Sequence, residues 1–401
     1  MLLSKNFHLT YCSNIHSGED WKSHFENIKK YVPKIKKQVS PNKSFGLGLR
    51  LSNLASKELN FSNNLIDFKN WLDQENIYVF TMNGFPYGDF HEKKVKDLVH
   101  DPDWTSQKRT NYTKRLFDQL AYLLPEKING GISSSPISYK LWFKNNDDKN
   151  KALIKGAENM LEIVIYLYQI EKKTRKYLHL DIEPEPNGLL ENSDDVINFF
   201  QNFLYPIGIK KIKSKLKLNE KKAKECIQKY LTICYDICHF SLAYEDPIHT
   251  FNKFKTYQIK VGKIQVSSAL KIIFNKNNES IIWNSLKKFD EPIYLHQVTE
   301  FKNNKVKTFK DLPELFSNQK SFKELRAHFH VPIFLEKFDY LYSTQDHILK
   351  VIDYINIDKT LCEHLEIETY TWEVLPSSLK TEIASSIIRE IEWFQNKFLN
   401  A

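Results

Sequence analysis

Eight short β-rich runs alternate along this chain with longer amphipathic patterns, and the runs end in polar or glycine residues. The runs are FHLTYCSN, FGLGLRLS, IYVFTMNG, INGGISSSP, YLHLDIEP, LTICYDICH, GKIQVSSA and HLEIETYTW. Between them, apolar residues recur at helical spacing, as at Trp21, Phe25, Ile28, Val32 and Ile35. Such alternation is typical of a parallel sheet covered by helices, and eight strand-like runs predict a closed (β/α)₈ TIM barrel. An open doubly wound sheet is the alternative.

The domain organisation follows from what does not interrupt this pattern. No repeat, linker or low-complexity tract divides the 401 residues, so we expect one barrel domain covering residues 1–401. The pattern from Ser377 to Leu399 predicts the closing helix. Residues 275–338 are different, because PIYLHQVTE and RAHFHVPIF would be surplus strands. We therefore expect an elaborated excursion there, between the seventh and eighth barrel strands.

Charge and cysteine content bear on compartment and partners. The net charge is +9, and lysines cluster between Lys210 and Lys224 without interleaved aromatic residues. A solvated helical face is therefore expected, with no specific nucleic-acid binding. The five cysteines form no regular pairs, and the chain shows neither a signal-peptide core nor a membrane span. We expect a cytoplasmic, soluble protein with reduced thiols that does not span the membrane.

Carboxylates end three of the predicted strands. Glu183 ends YLHLDIEP, Asp236 ends LTICYD with His239 three residues later, and Glu368 follows HLEI. Asp-x-x-His alone equally describes a helix cap beside a buried histidine. The C-terminal strand ends of a barrel meet at one face, however, and buried carboxylates that converge there call for a cation. The four residues predict a divalent-metal site for Mn, Zn, Mg or Fe, with Glu183, Glu368 and His239 also placed for catalysis.

Further polar residues are expected around this site. Arg326, His328 and His330 alternate in RAHFHVPIF, so an extended strand would place all three on one face. His330 is the expected further metal ligand. Substrate contacts are expected from strand-end and neighbouring residues: His16, Arg50, Asn83, Gln265, His296, Arg326, His328 and Trp372. The sequence has no phosphate-binding P-loop, GxGxxG, HExxH, GxSxG or paired CxxC motif, which excludes the chemistries that depend on those motifs.

The order of these motifs resembles a known superfamily. The order of Glu183 on strand five, Asp236-x-x-His239 on strand six and Glu368 on strand eight resembles the xylose-isomerase-like barrels, which include sugar isomerases, keto-sugar epimerases and endonuclease IV. More closely, HLTYCSNIHSGEDW, FTMNGFPYGDFH, YLHLDIEPEP, CYDICHF, HFHVPIF and LEIETYTWEVLP resemble the EboE family of metabolite traffic proteins. These blocks extend from residue 8 to residue 376. The strand-seven histidine usual in the superfamily is replaced here by Gln265 or Ser267 in KIQVSSAL.

The resemblance implies a function as well as a fold. It implies a TIM barrel encoded in a bacterial cluster, with other proteins of that cluster as partners, that helps a specialised metabolite or its precursor reach the periplasm. Isomerase- or epimerase-like chemistry on a small hydroxylated or carbonyl metabolite is the expectation, and it rests on fold analogy. Two alternatives stay open: a metal-dependent phosphodiesterase of the endonuclease IV type, and a non-catalytic carrier that holds a metabolite in the barrel.

Overall fold

The computed structural model describes residues 1–4, 6–88, 95–377 and 379–401, with the backbone alone at residue 373. Its strands are β1 His8–Tyr11, β2 Phe45–Arg50, β3 Ile77–Asn83, β4 Gly130–Ser134, β5 Leu178–Ile182, β6 Leu231–Asp236, β7 Val261–Val266, β8 Ala269–Ile273, β9 Val298–Lys302, β10 Lys305–Phe309, β11 Glu324–His330, β12 Lys337–Phe338, β13 Leu341–Ser343 and β14 His364–Ile367. Seven of the eight predicted runs contain one of these strands, and the eighth, GKIQVSSA, contains all of β7 except its first residue.

The α-helices mostly follow the barrel strands. They are α1 Trp21–Val39, α2 Asn53–Glu58, α3 Asn64–Gln74, α4 Gln107–Leu123, α5 Asn146–Thr174, α6 Ser193–Phe199, α7 Tyr205–Leu216, α8 Glu220–Tyr230, α9 Ile237–Leu242, α10 Pro247–Thr256, α11 Glu279–Lys287, α12 Leu312–Ser317, α13 Gln345–Ile357 and α14 Ile383–Leu399. In α1, Asp20 caps the N-terminus by accepting from the Ser23 amide at 2.9 Å, and Ile28, Val32 and Ile35 are buried.

Eight parallel strands form the barrel, in the order β1, β14, β7, β6, β5, β4, β3, β2. The ring is joined between β1 and β2 by side-chain and backbone contacts. The Thr10 hydroxyl donates to the Gly46 carbonyl at 2.8 Å and accepts from the Gly48 amide at 2.9 Å, and Cys12 pairs with Gly48. The predicted (β/α)₈ barrel is therefore confirmed, and the open doubly wound sheet is not formed.

A second sheet is inserted between β7 and β14. Its six strands have the order β10, β9, β11, β8, β13, β12, and they are joined by antiparallel pairing. The sheet spans residues 269–343, wider at both ends than the excursion expected at 275–338. The Val331 amide donates to the Ser268 carbonyl at 3.0 Å, which ties the end of β11 to the end of β7. The insertion therefore delivers β11 to the C-terminal face of the barrel.

The barrel interior contains an ion pair where aliphatic residues are usual. Lys263 on β7 and Glu366 on β14 are completely buried and paired with each other. Gly48 on β2 makes room for this pair, because a Cβ atom there would lie 1.7 Å from Glu366 Oε1. Glu366 pairs in register with Gln265 and precedes Glu368 by two residues.

The lysine-rich stretch lies on the surface, on the two helices α7 and α8. Most of its lysines, including Lys210, Lys213, Lys215, Lys221 and Lys222, are exposed. Within the described part of the chain, no helix has both the length and the apolar character needed to cross a bilayer.

Candidate metal centre

Three carboxylates converge at the C-terminal end of the barrel. Glu183 follows β5, Asp236 ends β6 and Glu368 follows β14, and one oxygen from each lies within 4.8 Å of the others. Backbone hydrogen bonds to neighbouring strands hold two of them, from the Glu183 amide to the Ser134 carbonyl at 2.9 Å and from the Glu368 amide to the Val266 carbonyl at 3.1 Å. We call Glu183, Asp236 and Glu368 the acid cluster. All three side chains are buried.

Asp236 serves as both a helix cap and a cavity group. Its Oδ1 atom accepts from the His239 amide at 3.1 Å, which caps α9, and from the Ser267 hydroxyl at 2.7 Å. Its Oδ2 atom has no hydrogen-bond partner among the described residues and lies 3.9 Å from both His239 Nε2 and His330 Nε2. The cap therefore fixes the carboxylate and leaves one oxygen facing the imidazoles.

Three histidines, His239, His328 and His330, stand beside the acid cluster, and we call them the histidine cluster. His239 comes from α9, and the other two come from the end of β11. Each directs Nδ1 at a carbonyl oxygen: of Pro184 at 2.9 Å for His239, of the Gln297 side chain at 2.8 Å for His328, and of Glu368 at 2.6 Å for His330.

The partners of Nδ1 determine the tautomers. A carbonyl oxygen only accepts, so Nδ1 of each ring carries the proton, and Nε2 of the neutral ring keeps its lone pair. His239 Nε2 and His328 Nε2 lie 3.0 Å apart. Two lone pairs at that distance repel unless a proton or a cation lies between them. Histidines that donate from one ring nitrogen to a carbonyl and leave the other bare are typical of metal ligands.

Burial shifts the pKa values of two carboxylates and two histidines at this site. Burial, followed by the charges of Glu368 and Asp236, raises the pKa of Glu183 well above its usual range. Burial and then Asp236 do the same to the pKa of Glu368. Burial and the neighbouring His239 and His330 lower the pKa of His328, and burial lowers the pKa of His330. A cation between the clusters would offset the repulsion among the carboxylates and would be bound by the Nε2 lone pairs of the histidines.

Two asparagines orient Glu368. Asn14 Nδ2 and Asn83 Nδ2 both donate to Glu368 Oε1, at 2.7 Å and 2.8 Å. Asn83 ends β3, and its own Oδ1 accepts from the Phe85 amide at 3.0 Å. The two asparagines therefore hold the Glu368 carboxylate from the side of β14 that faces away from its neighbour β7.

Five of the six cluster residues line a cavity with about 650 Å³ of free space, a volume that includes open solvent at its mouth. Of the residues predicted for the metal site, all but Asp236 line this cavity. An oxygen of Asp236 lies within 4.8 Å of oxygens of Glu183 and Glu368. Of the eight residues expected to contact substrate, Asn83 and His328 line the cavity.

The other six expected substrate contacts are directed elsewhere. His16 stacks on Tyr31 at 4.7 Å, Arg50 pairs with Glu19, and Gln265 is enclosed in the barrel interior. Strand-end position predicts height in the barrel but leaves the direction of a long side chain open.

The remaining three lie around the inserted sheet. His296 Nδ1 donates to the His328 carbonyl at 2.9 Å, and its Nε2 lies 2.7 Å from Glu291 Oε1, so the ring supports β11. Arg326 precedes a register shift in β11 and donates to the Ser241 carbonyl at 2.6 Å. Trp372 packs against Phe334. The predicted common face of β11 therefore holds His328 and His330 but not Arg326.

Three further cavity residues, His100, Glu185 and Gln297, are not among the predicted site residues. His100 Nε2 lies 2.7 Å from Glu185 Oε1, and both side chains are buried. Gln297 joins His328 to the loop after β5, because its Nε2 donates to the Pro186 carbonyl at 3.0 Å. Glu185 and Gln297 adjoin predicted residues in EPEP and HQVTE, whereas nothing in the sequence distinguishes His100.

No family model matches the chain, and no curated protein sequence matches it. Solved structures do. The probable 3-DHS dehydratase AsbF from Bacillus anthracis shares 10% identity over 96% of this chain and 97% of its own, with a TM-score of 0.46. A xylose isomerase-like TIM barrel protein from Mycobacterium smegmatis in complex with magnesium shares 7% identity over 100% of this chain and 99% of its own, with a TM-score of 0.49.

A third such structure, IOLI protein with a binding zinc atom, shares 9% identity over 98% of this chain and 99% of its own, with a TM-score of 0.48. With identities of 10% or less and TM-scores below 0.5, these likenesses establish neither a superfamily nor a chemistry for this chain. The barrel rests on the strand order, and the chemistry on the side chains of this chain.

Proposed function

We propose that this chain is a metal-dependent enzyme that moves a proton on a small hydroxylated or carbonyl metabolite, as isomerases and epimerases do. The observation that carries the proposal is the acid cluster: three buried carboxylates from separate strands, with an oxygen of each within 4.8 Å of the others. Without a counter-charge, such a cluster is costly, because each carboxylate is desolvated and repels its neighbours.

The donors present fit a divalent cation of intermediate hardness. Asp236 Oδ2, Glu183 Oε2 and His330 Nε2 are buried and have no hydrogen-bond partner among the described residues. Together with Glu368 they would supply carboxylate oxygens and one imidazole nitrogen, a set that suits Mn, Zn, Mg or Fe. When bound, such an ion polarises a substrate oxygen and lowers the cost of removing a proton from the adjacent carbon.

The side chains of this chain would handle the proton. Glu183 follows β5 and Glu368 follows β14, two strands that are separated by β6 and β7 in the barrel, and both side chains line the cavity. One would accept a proton from the substrate carbon and the other would return a proton from its own side, which is the requirement for isomerisation or epimerisation. Asn14 and Asn83 would keep Glu368 in position through their bonds to Oε1.

Solvent exchange tests this proposal across a range of candidate substrates. The protein, loaded with Mn²⁺ or Zn²⁺, is incubated in D₂O with a panel of ketoses, hydroxy acids and hydroxy ketones, and deuterium incorporation is followed by NMR. We expect incorporation into at least one compound that is lost in Glu183→Gln and Glu368→Gln and retained in Glu126→Gln, which alters an exposed glutamate. Exchange unaffected by both cluster variants would refute the proton-transfer role.

The narrower assignment is also proposed. We propose that the chain acts as an EboE-type protein in the production or traffic of a specialised metabolite to the periplasm, on the strength of the sequence blocks alone. The neighbouring genes test this directly: genes for the other proteins of such a cluster would support the assignment, and an unrelated neighbourhood would contradict it. Metal dependence of the protein and membership of its gene in such a gene cluster are separate claims.

A second candidate, a metal-dependent phosphodiesterase, is favoured by one observation. Glu185, His239 and His328 form a further ligand group beside the acid cluster, with ligand atoms within 4.8 Å of one another. Two neighbouring cations are the usual requirement for in-line displacement at phosphorus. A titration that gives two Zn²⁺ per chain, falling to one in His328→Ala, together with cleavage of an abasic DNA duplex, would favour this candidate over proton transfer.

A further inference from the structure

The cavity has a second half that differs in character from the two clusters. Its wall is formed by segments that follow β3 and precede β9, and we call Phe85, Pro86, Val95, Val99 and Leu295 the apolar wall. The two segments are joined, because the amides of Val95 and Lys96 donate to the Ile293 carbonyl at 3.0 Å and 3.2 Å. The segment that carries Val95 and Val99 is therefore held against the segment that carries Leu295.

Two polar side chains beside the apolar wall, Lys96 and His100, have partners of their own. Lys96 Nζ forms an ion pair with Asp311, and His100 Nε2 is bonded to Glu185 at 2.7 Å. Phe85 and Val95 are nearly fully buried. A ligand hydroxyl placed against the apolar wall would give up its hydrogen bonds to water, whereas an apolar group would gain from the same burial.

Aromatic rings border the same space. Tyr294 and Tyr370 line the cavity and meet edge to face, with ring centroids 5.1 Å apart, and the Tyr370 ring lies 4.8 Å from that of His330. Phe85 contacts the His100 ring edge to face at 5.3 Å. Rings in such positions favour a flat partner, through stacking or edge contacts, over a branched chain of hydroxyls.

We infer that the substrate joins an oxygen-bearing head, bound at the acid cluster, to a flat apolar group that packs on the apolar wall. The identity of the head rests on the proposed function, while the apolar group rests on the wall itself. The class expected is an aryl or unsaturated cyclic hydroxy or carbonyl compound. A free sugar, whose far hydroxyls would face the apolar wall without partners, is disfavoured.

Two hydroxamates that differ only in their tails test the inference. Calorimetry on the Mn²⁺-loaded protein compares acetohydroxamate with benzohydroxamate, because both carry the same metal-binding head. We expect benzohydroxamate to bind at least tenfold more tightly, and Val99→Asp to remove most of that advantage. Leu98→Asp is the matched control, because the side chain of Leu98, next to Val99 in the sequence, is 63% exposed and does not line the cavity. Equal affinities for the two hydroxamates, or equal effects of the two variants, would overturn the inference.

A second measurement separates this inference from the proposed function. Phenol binding to the metal-free protein is followed by saturation-transfer NMR, with the same two variants. If no metal and no hydroxamate bind, the proposed function fails, yet phenol that binds the wild type and Leu98→Asp but not Val99→Asp would still support the apolar half. Phenol that fails to bind the wild type, or binds all three proteins equally, would overturn it.

Discussion

Asn83 Nδ2 lies 2.8 Å from Glu368 Oε1, an oxygen that also accepts from Asn14 Nδ2 at 2.7 Å. The bond joins the end of β3 to the end of β14, across the mouth of the barrel. It orients a carboxylate of the acid cluster, so Asn83 would act through Glu368 on a cation held there. Partners of this kind are worth about 10–100-fold in metal affinity.

The first prediction concerns that bond. Asn83→Ala should weaken Mn²⁺ binding about 10–100-fold, because Glu368 loses one of two donors that hold it in place. Calorimetric titration measures the affinity, and circular dichroism checks the fold. Asn202→Ala, at an exposed asparagine outside the cavity, is the control. Affinity that falls equally in both variants would argue against the orienting role.

The second prediction concerns the buried ion pair. Lys263→Met should destabilise the protein by about 3–5 kcal/mol, because Glu366 would remain buried without its counter-charge. Lys263→Met combined with Glu366→Leu should recover much of that loss, since no unpaired charge is left. Urea unfolding of the single and double variants decides the matter. A double variant no more stable than the single one would show that the pair is not what makes Lys263 matter.

The third prediction concerns pH. The pKa values of Glu183 and Glu368 are raised from the usual 4.5, so between 4.5 and the raised values the folded, metal-free protein holds protons that the unfolded chain has released. The free energy of unfolding should therefore fall as the pH rises through that window. Urea unfolding at a series of pH values measures it, with EDTA present.

The control for the pH series is the double variant Glu183→Gln, Glu368→Gln. Glu390 also contributes, because burial raises its pKa to about 7, and that contribution persists in the double variant. Saturating Mn²⁺ should flatten the wild-type dependence, since a cation keeps both carboxylates ionised. Identical slopes in the wild type and the double variant would contradict the assignment of the shifts to these residues.

The fourth prediction concerns domain organisation. We expect the chain to behave as one domain, because the inserted sheet is tied to the barrel through β7 and β11. Brief digestion with trypsin should cut within residues 275–338 and leave the barrel fragments associated on a sizing column. Two separately stable halves would contradict the single-domain organisation.

Much of the barrel and the acid cluster could be predicted from the sequence because both depend on local rules. Alternating runs predict parallel strands, and the topology brings their C-terminal ends together, which places Glu183, Asp236 and Glu368 near one another without further information. The tautomers of the histidine cluster depend instead on carbonyl partners contributed by other segments, such as Gln297. Sequence spacing carries no information about such long-range contacts.

Contacts between segments distant in the sequence explain what the sequence could not predict. His100 meets Glu185 from a position 85 residues earlier in the chain. Arg50, expected to contact substrate, forms an ion pair with Glu19, and a long side chain at a strand end has several directions open to it. The direction of each side chain is decided by packing among segments distant in sequence.

A divalent cation at the acid cluster is the central requirement of the proposed chemistry. The most direct measurement is the metal content of the purified protein, with the shift in melting temperature on adding Mn²⁺ or Zn²⁺, for the wild type, Asp236→Ala and the exposed control Asp353→Ala. We predict bound metal and a raised melting temperature in the wild type and the control, and loss of both in Asp236→Ala with the fold retained. Wild-type protein that contains no metal and whose melting temperature neither ion changes would contradict a metal centre at the acid cluster.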